Sequence, residues 1–316
     1  MVRWIVLFAM LETLPVSVFA QPNGEGLSVP VTAWGDPDLG GLWANSSLTP
    51  LERPQEVADR EFYLESELRE LSNEAAQRWI AVVPAEERAV TPELNAIWME
   101  PGRLSRRTSL IVGPDGTVPP LTPEAEAQRV AAANRDPFES FEDRPMGERC
   151  LHHGSTGPPM RAQPFANLVR IFQTPHHVAL LHEESHELRI IPLDGRPHVH
   201  PMIRLWRGDS RGHWDNGTLV VETRNFNKKG RFIGSGHGLR LTERFHRVNH
   251  DTLLFAFTAS DPATWTKSWT AEMPLNASPT PMFEYACHEG NYSLPLILRG
   301  ARALERETAA VEQAAK

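Results

Sequence analysis

The stretch LLHEESHELRII, from Leu180 to Ile191, decides the fold. It contains H-E-x-x-H, the pattern that in zinc hydrolases places two histidine ligands and a general base on one face of a helix. A zinc site of this kind requires His182 and His186 to lie one helical turn apart, which a helix provides and a strand does not. The stretch is therefore either a helix with a metal site or a β-hairpin.

The apolar residues around the motif favour the hairpin. In a helix, the seven apolar residues of the stretch 178–191 would point in nearly every direction and leave no apolar face. As two strands, VALL and LRII, they form short buried runs with Glu184 and Ser185 at the tip of the turn. The extended zinc motif would also need Gly and His where Arg189 and Pro192 stand. We expect neither metal nor cofactor here, although Glu183 and His186 remain candidates as loop residues of a site.

Composition limits the classes of partner. The 316 residues are 41% hydrophobic and 23% charged, which suits a globular protein of one large domain or one and a half. The net charge is -8, and the chain has no block of five or more Lys or Arg residues. We therefore expect neither nucleic acid nor an anionic membrane surface as a partner.

The first 20 residues have the features of a secretory signal peptide. Arg3 precedes a short apolar stretch, and Val18-Phe19-Ala20 forms a cleavage site of small residues. The apolar run is too short to span a bilayer, so we expect no membrane insertion after cleavage, and a protein that is secreted or periplasmic. In such an oxidising compartment the two cysteines, Cys150 and Cys287, are expected to form a disulfide.

Residues 21–149 are predicted to form an extended and helical region that packs on the rest. Gly41-x-Trp43 opens a first strand and is a weak lipocalin-like signal. Apolar residues spaced by three and four predict an amphipathic helix over Glu56–Ile80. Thr122 and Pro123 have the N-cap and first-turn properties of a second helix, and TSLIVGPDGTVPPL between the two helices predicts a strand and a turn.

Residues 150–305 have the pattern of antiparallel β-sheet. The segments NLVRIF, HVALL, LRIIPL, GTLVVET, LRLTERFHRV and TLLFAFT are short apolar or alternating runs, and DNGT and LDGRP between them are typical of tight turns. We predict a mainly β (α+β) fold, an antiparallel barrel or sandwich of lipocalin-like kind, followed by a polar tail at 306–316. Its tryptophans (Trp206, Trp214, Trp265 and Trp269) are expected in the core.

Several segments resemble a widespread family of uncharacterised secreted proteins from environmental bacteria. The resemblance runs from about Asp38 to Arg302 and is carried by segments such as PDLGGLW, DRPMGERC and EYACHEGNYSLPLILRGAR. The combination GDSRGxW…TLVVETxNF is specific to this family. The resemblance implies a bacterial source and a single folded unit. It implies no catalytic residues.

The candidate catalytic residues follow from the distribution of histidine. All 13 histidines lie between His152 and His288, and histidine is the side chain best suited to proton transfer near neutral pH. A bridge between the cysteines would bring one group of charged neighbours together: Glu148, Arg149, His152, His153, Glu284, His288 and Glu289. We hypothesise that His153 or His288 is a general base, oriented by Glu289 or Glu148, and that Arg149 holds an anionic part of the substrate. The alternative is a surface disulfide ringed by solvated charges.

A second candidate set consists of Glu183, His186, Asp209 and Arg211. Asp209 and Arg211 lie two apart on a predicted strand, so they share a face and are expected to form an ion pair.

Three functions are compatible with the sequence. The first is an exported enzyme that uses metal-independent His/Glu acid–base chemistry on a small apolar, phenolic or glycosidic molecule, as a lyase, isomerase or hydrolase. The alternatives are a non-catalytic lipocalin-like binding protein and a zinc-dependent hydrolase acting through HEESH. The absence of a G-x-S-x-G elbow argues against common serine hydrolases. Convergence of the Glu and His side chains in one pocket would favour the enzyme, and a purely apolar pocket would favour the binding protein.

Overall fold

The computed structural model describes residues 29–81, 98, 102–151, 156–163, 165–230 and 232–314. The predicted signal peptide, together with His152 and His153, lies outside these residues. No helix in the described part of the chain is both long and apolar enough to cross a membrane.

One antiparallel sheet of nine strands dominates the fold, so the prediction of a mainly β protein is confirmed. The strand order is β4-β3-β2-β1-β9-β8-β7-β6-β5, and the two edge strands are not hydrogen-bonded to each other, so the sheet is not closed. The strands are β1 (Gly41–Ala44), β2 (Leu168–Gln173), β3 (His177–His182), β4 (Leu188–Pro192), β5 (Asp209–Asp215), β6 (Thr218–Arg224), β7 (Arg240–Asn249), β8 (Thr252–Ser260) and β9 (Trp269–Ala277).

The sheet is curled, so that its edge strands β4 and β5 contact each other. A Cβ atom built on Gly212 of β5 would lie only 2.9 Å from Cγ2 of Ile191 on β4, which explains why glycine occupies this position. The enclosed face carries the core, because alternate residues of each strand point inward. On β7, for example, Leu241, Glu243 and Phe245 are buried, while the residues between them are more exposed.

The β3–β4 connection settles the interpretation of the H-E-x-x-H motif. β3 ends at His182 and β4 begins at Leu188, and the amide of His182 donates to the carbonyl of Glu187 at 2.8 Å. Ser185 and His186 at the tip have φ values of 59° and 50°. The predicted hairpin is therefore confirmed, and the helical spacing that a zinc site of this class requires is absent.

The turn between β5 and β6 also matches its sequence. Asn216 and Gly217 have φ values of 47° and 78°, the left-handed conformation that both central residues of a type I′ turn adopt. Asn and Gly tolerate this conformation better than other residues, so the DNGT signal and the backbone agree.

The helices agree only in part with the sequence predictions. Helix α1 (Glu65–Ala81) begins later than Glu56, because Phe62 instead forms a β-bridge with Arg107. Helix α2 (Pro123–Ala133) begins as predicted, with the Thr122 hydroxyl accepting from the amide of Ala125 at 3.1 Å.

The remaining segments differ from the sequence predictions. Helix α3 (Ser293–Ala314) includes most of the segment predicted as a polar tail. The segment TSLIVGPDGTVPPL contains isolated bridges at Ile111 and Leu121 in place of the predicted strand.

Two of the four tryptophans predicted in the core are buried there. Trp265 and Trp269 pack edge to face, and Phe232 stacks on Trp269 with ring centroids 5.8 Å apart. Trp214 is half-buried, whereas Trp206 is exposed on the loop between β4 and β5. The prediction for Trp206 is therefore wrong, because this loop projects from the sheet and does not cover the core.

Candidate ligand-binding site

The predicted disulfide is present and draws two distant segments together. Cys150 and Cys287 are bonded with their Cα atoms 5.8 Å apart, and Asn291 Nδ2 donates to the carbonyl of Glu148 at 2.7 Å. The Glu148 carboxylate, however, accepts two hydrogen bonds from Arg144, at 2.8 and 2.9 Å. It is thus engaged in an ion pair beside the disulfide.

The described members of the first candidate set form no polar contacts with one another. Arg149 lies over the Phe141 ring, 5.4 Å from its centroid, while His288 and Glu289 are exposed. In the described residues no hydrogen bond or ion pair joins any two of Glu148, Arg149, His288 and Glu289, and no three His, Cys, Asp or Glu side chains form a group that could hold a metal. His153 lies outside the described residues, so this catalytic hypothesis stays a prediction.

In the second set, Glu183 has a structural position. Its buried carboxylate accepts from the amide of Phe283 at 3.1 Å and from the amide of Leu168 at 3.4 Å. It thereby joins the β3–β4 hairpin to the segment that leads to Cys287. His186, in contrast, is exposed at the tip of the turn.

Glu184 strengthens the same attachment. Its backbone forms a parallel bridge with Tyr285, and its carboxylate accepts from Gln163 Nε2 at 2.9 Å. Burial raises the pKa of the Tyr285 hydroxyl, and the nearby negative charge of Glu184 raises it further. The acidic residues of the motif therefore hold chain segments together.

Asp209 and Arg211 form the predicted ion pair, at 2.7 Å. The second carboxylate oxygen of Asp209 contacts His198 Nδ1 at 2.7 Å and accepts from the amide of Val199 at 3.0 Å. His198 was not among the candidate residues, because no spacing pattern in the sequence relates it to Asp209. These contacts fix the start of the β4–β5 loop against β5.

A cavity of about 320 Å³ lies where strands β8 and β9 meet two coil segments, 47–51 and 160–163. Leu110, Met160, Phe257 and Met273 provide apolar walls, and these four side chains belong to the buried core. Polar and charged residues surround them: Ser47, Thr49, Arg161, Gln163 and Glu272. An apolar floor with a few polar groups is the usual composition of a small-molecule site.

Two charged residues of the cavity lack partners. In the part of the chain that the structure describes, neither the Arg161 guanidinium nor the Glu272 carboxylate forms an ion pair or a hydrogen bond. Nearby protein atoms lower the pKa of Arg161 by desolvation, but the residue is exposed to solvent and remains positively charged. Burial raises the pKa of Glu272, and the positive charge of Arg107 partly opposes this effect.

Hydrogen bonds to the backbone hold the rim segment 161–163 in place. Asn45 Nδ2 donates to the carbonyl of Arg161 at 2.9 Å, and Asn167 Nδ2 donates to the carbonyl of Gln163 at 2.7 Å. The amide of Gln163 in turn donates to the carbonyl of Asn45 at 3.1 Å. Arg161 is therefore presented from a fixed backbone, which reduces the entropic cost of binding a ligand there.

Neither charged residue of the cavity belongs to a recognisable sequence motif. Arg161 lies in the coil segment PPMRAQPF, which contains no motif. Glu272 lies on β9, a strand that was not predicted, although Trp269, Ala271, Met273 and Leu275 alternate with more polar residues as a half-buried strand requires. That alternation was the signal available in the sequence.

Comparisons with known proteins give little further information. No protein-family model matches the chain, and a search of curated proteins also finds no match. Among solved structures, the chain is similar to the crystal structure of a secretary abundant heat soluble (SAHS) protein from Ramazzottius varieornatus. The identity is 14%, the alignment covers 35% of this chain and 70% of that chain, and the TM-score is 0.23.

Proposed function

We propose that the protein binds a small amphipathic molecule in the cavity beside β8 and β9, without converting it. The observation that carries this proposal is the combination of an apolar floor with the unpaired guanidinium of Arg161 at its edge. The volume of about 320 Å³ lies within the range of small-molecule sites, which begins at roughly 300 Å³.

The unpaired guanidinium indicates the chemistry of the ligand. Because Arg161 is exposed at the edge of the cavity, its guanidinium is accessible to a ligand, and a carboxylate can accept two parallel hydrogen bonds from arginine. The apolar part of the ligand would then contact Phe257 and Met273. A small molecule with an anionic head and an apolar body fits both requirements.

We further propose that the curled sheet is an incompletely closed, lipocalin-like barrel. The contact between β4 and β5 and the Gly41-x-Trp43 opening of β1 support this architecture. The large buried side chains of the sheet interior support a ligand site at the junction with the coil segments instead of a central chamber. The disulfide supports an exported protein, since such bridges persist in oxidising compartments.

Acid–base catalysis on the bound molecule is a second candidate, and Glu272 is the observation that favours it. A carboxyl group whose pKa is raised by burial, and which lines a cavity, can donate a proton closer to neutral pH than an ordinary glutamate. If this candidate holds, Glu272→Gln abolishes turnover of a bound substrate while leaving its binding in place.

Matched ligand pairs test the binding proposal. We would titrate the protein calorimetrically with octanoate against 1-octanol, and with phenylacetate against 2-phenylethanol. The anionic member of a pair is expected to bind at least about tenfold more tightly, because a hydrogen bond to a charged group contributes roughly 1.5–3 kcal/mol.

Variants locate the site. Arg161→Gln should remove the preference for the anionic ligand. Ala162→Phe should fill the cavity and weaken the binding of both ligands of a pair. Arg240→Gln, on an exposed position of β7, removes the same charge far from the cavity and should change nothing. Equal binding of the acid and the alcohol, or a preference that survives in Arg161→Gln, would contradict the proposal.

A further inference from the structure

The loop between β4 and β5 exposes an unusual run of apolar side chains. Met202, Ile203, Leu205 and Trp206 are 82%, 50%, 42% and 38% exposed, and Arg204 between them is exposed as well. Single exposed apolar residues are ordinary, but a contiguous group usually marks a binding surface.

The loop is held in this position by polar contacts at its base. Asp209 fixes His198 and Val199 at its start, as described above, and Asn225 Nδ2 donates to the carbonyl of Val199 at 2.9 Å. The amide of Leu205 donates to the carbonyl of Asn225 at 3.0 Å, so the apolar run lies beside the segment 225–230. These contacts keep the apolar side chains directed to solvent.

A cationic cleft adjoins the apolar run. The segment 225–230 carries Lys228 and Lys229, and a Cβ atom built on Gly230 would lie 3.2 Å from the carbonyl oxygen of Trp206. Both lysines line a cleft of about 560 Å³. Its charged residues are five cations and three acids: Arg135, Arg144, Arg149, Lys228 and Lys229 against Asp136, Glu142 and Asp143.

The cleft has positive charge available for a partner. Lys229 pairs with Glu142, and Arg144 pairs with Glu148. In the described chain, Arg135, Arg149 and Lys228 form no ion pair, and neither do the acids Asp136 and Asp143, so the cleft keeps a small excess of positive charge. Because the sequence contains no block of basic residues, it did not predict an anionic membrane surface as a partner. The fold instead gathers these cations from two separate segments, 135–149 and 228–229, on a protein whose net charge is -8.

We propose that the Met202–Trp206 run and the cationic cleft together form a docking surface for a bilayer that contains anionic phospholipid. The apolar side chains enter the interfacial region, where tryptophan is favoured, while the cations contact lipid phosphates. A short exposed apolar loop beside basic residues is the arrangement that interfacial binding uses, since apolar side chains insert while cations meet anionic lipid. This docking is peripheral and is independent of the ligand in the Arg161 cavity.

Vesicle cosedimentation tests the proposal. The full chain is mixed with vesicles of phosphatidylcholine alone, or of equal parts phosphatidylcholine and phosphatidylglycerol. We expect binding to the mixed vesicles, weak binding to the neutral ones, and a loss of binding as ionic strength rises well above about 0.1 M. No binding to the mixed vesicles at low salt would overturn the proposal.

Matched variants assign the two halves of the surface. Met202→Ser/Ile203→Ser should lower partitioning by about tenfold or more, since two apolar side chains no longer insert. Leu188→Ser/Ile190→Ser is the control, because these β4 side chains are similarly exposed, at 51% and 56%. Arg135→Ala/Lys228→Ala should weaken binding to the mixed vesicles and make that binding less dependent on salt. Arg240→Ala/Arg244→Ala, on the exposed face of β7, is the control and should change neither property. Full binding by the loop variant, or equal losses in the controls, would also overturn it.

Discussion

Arg189 on β4 donates to both carboxylate oxygens of Glu243 on β7, although five strands separate β4 from β7 in the sheet. The Nη1 to Oε1 distance is 3.0 Å, and the remaining guanidinium donors reach Ser210 Oγ at 3.1 Å and Thr223 Oγ1 at 2.8 Å. The pair is buried and satisfied by hydrogen bonds, and it crosses the gap between the unpaired edges β4 and β5. This side-chain ion pair therefore links the two sides of the gap, where strands β4 and β5 form no backbone hydrogen bonds with each other.

Breaking this pair should be costly. Arg189→Met or Glu243→Leu leaves an uncompensated buried charge, which typically costs about 3–5 kcal/mol. The double variant Arg189→Met/Glu243→Leu leaves no buried charge and should cost much less than the sum of the single changes. Urea unfolding of all four proteins measures the coupling, and strictly additive costs would show that the two residues do not act as a pair.

The disulfide should contribute strongly to stability, because the Cys150–Cys287 bridge closes a loop whose ends are 137 residues apart. The chain-entropy model assigns about 5 kcal/mol to a loop of this length. Thiol titration of the unfolded, unreduced protein should detect no free cysteine, and Cys150→Ser/Cys287→Ser should unfold at lower urea concentration. Detection of two thiols per chain would contradict the bridge.

The Asn216-Gly217 turn offers a test of local backbone strain. At the φ of 78° observed for Gly217, a β-branched side chain is strained, so Gly217→Val should cost about 1–3 kcal/mol. Gly217→Asn is the matched control, since asparagine tolerates the left-handed region, and its cost should be small. Equal melting temperatures for the valine variant and the unchanged protein would refute the assignment of the turn.

Substitution in the H-E-x-x-H segment should affect stability and not metal content. Glu183→Gln weakens the acceptor of two backbone amides and should cost about 1.5–3 kcal/mol, whereas His186→Asn, at the exposed tip, should be nearly neutral. Elemental analysis should find no stoichiometric zinc in any of these proteins. One zinc per chain, lost on His186→Ala, would restore the metal-site interpretation.

Glu272 should make stability depend on pH in a defined direction. Burial raises its folded pKa above the ordinary value of 4.5, so the folded state holds this proton more tightly than the unfolded state. The contribution of Glu272 to stability is then fully present below about pH 4.5 and is lost as pH rises through the folded pKa.

Glu272→Gln should therefore be more stable than the unchanged protein at pH 7, and this difference should disappear at acidic pH. Glu222→Gln, on an exposed position of β6, controls for the change in net charge. Urea unfolding across the pH range measures the effect, and a stabilisation by Glu272→Gln that is the same at every pH would contradict burial as its cause.

Local patterns in the sequence were sufficient for much of the sheet. Eight of the nine strands, the Asn216-Gly217 turn and the N-cap at Thr122 each depend on residues within a few positions of one another. Strand β9 keeps its alternation of buried residues but contains Pro274, and proline usually argues against a strand inside a sheet. In the sheet, Pro274 lies opposite Leu254 of β8.

Long-range proximity could not be predicted in the same way. The partnership of His198 with Asp209, and the common location of Arg161 and Glu272, depend on how the whole chain packs. The expected pairing of Cys150 with Cys287 implied that Glu148 lies close to Cys287. The pairing does not determine which way the charged side chains beside the two cysteines point. Solvent exposure, as at His288 and Glu289, is decided by those orientations.

Strand β1 has a consequence for the order of folding. It is flanked by β2 through the register Trp43–Val169 and by β9 through Trp43–Ala277, and in the described chain it is the strand that joins the meander β2–β4 to the meander β5–β9. Each meander can form from hairpins between neighbouring strands, whereas β1 must wait for residues far along the chain. Closing such long loops is slow, so we expect β1 to dock last, after residue 277 is available, and the rate of refolding to be set by that step.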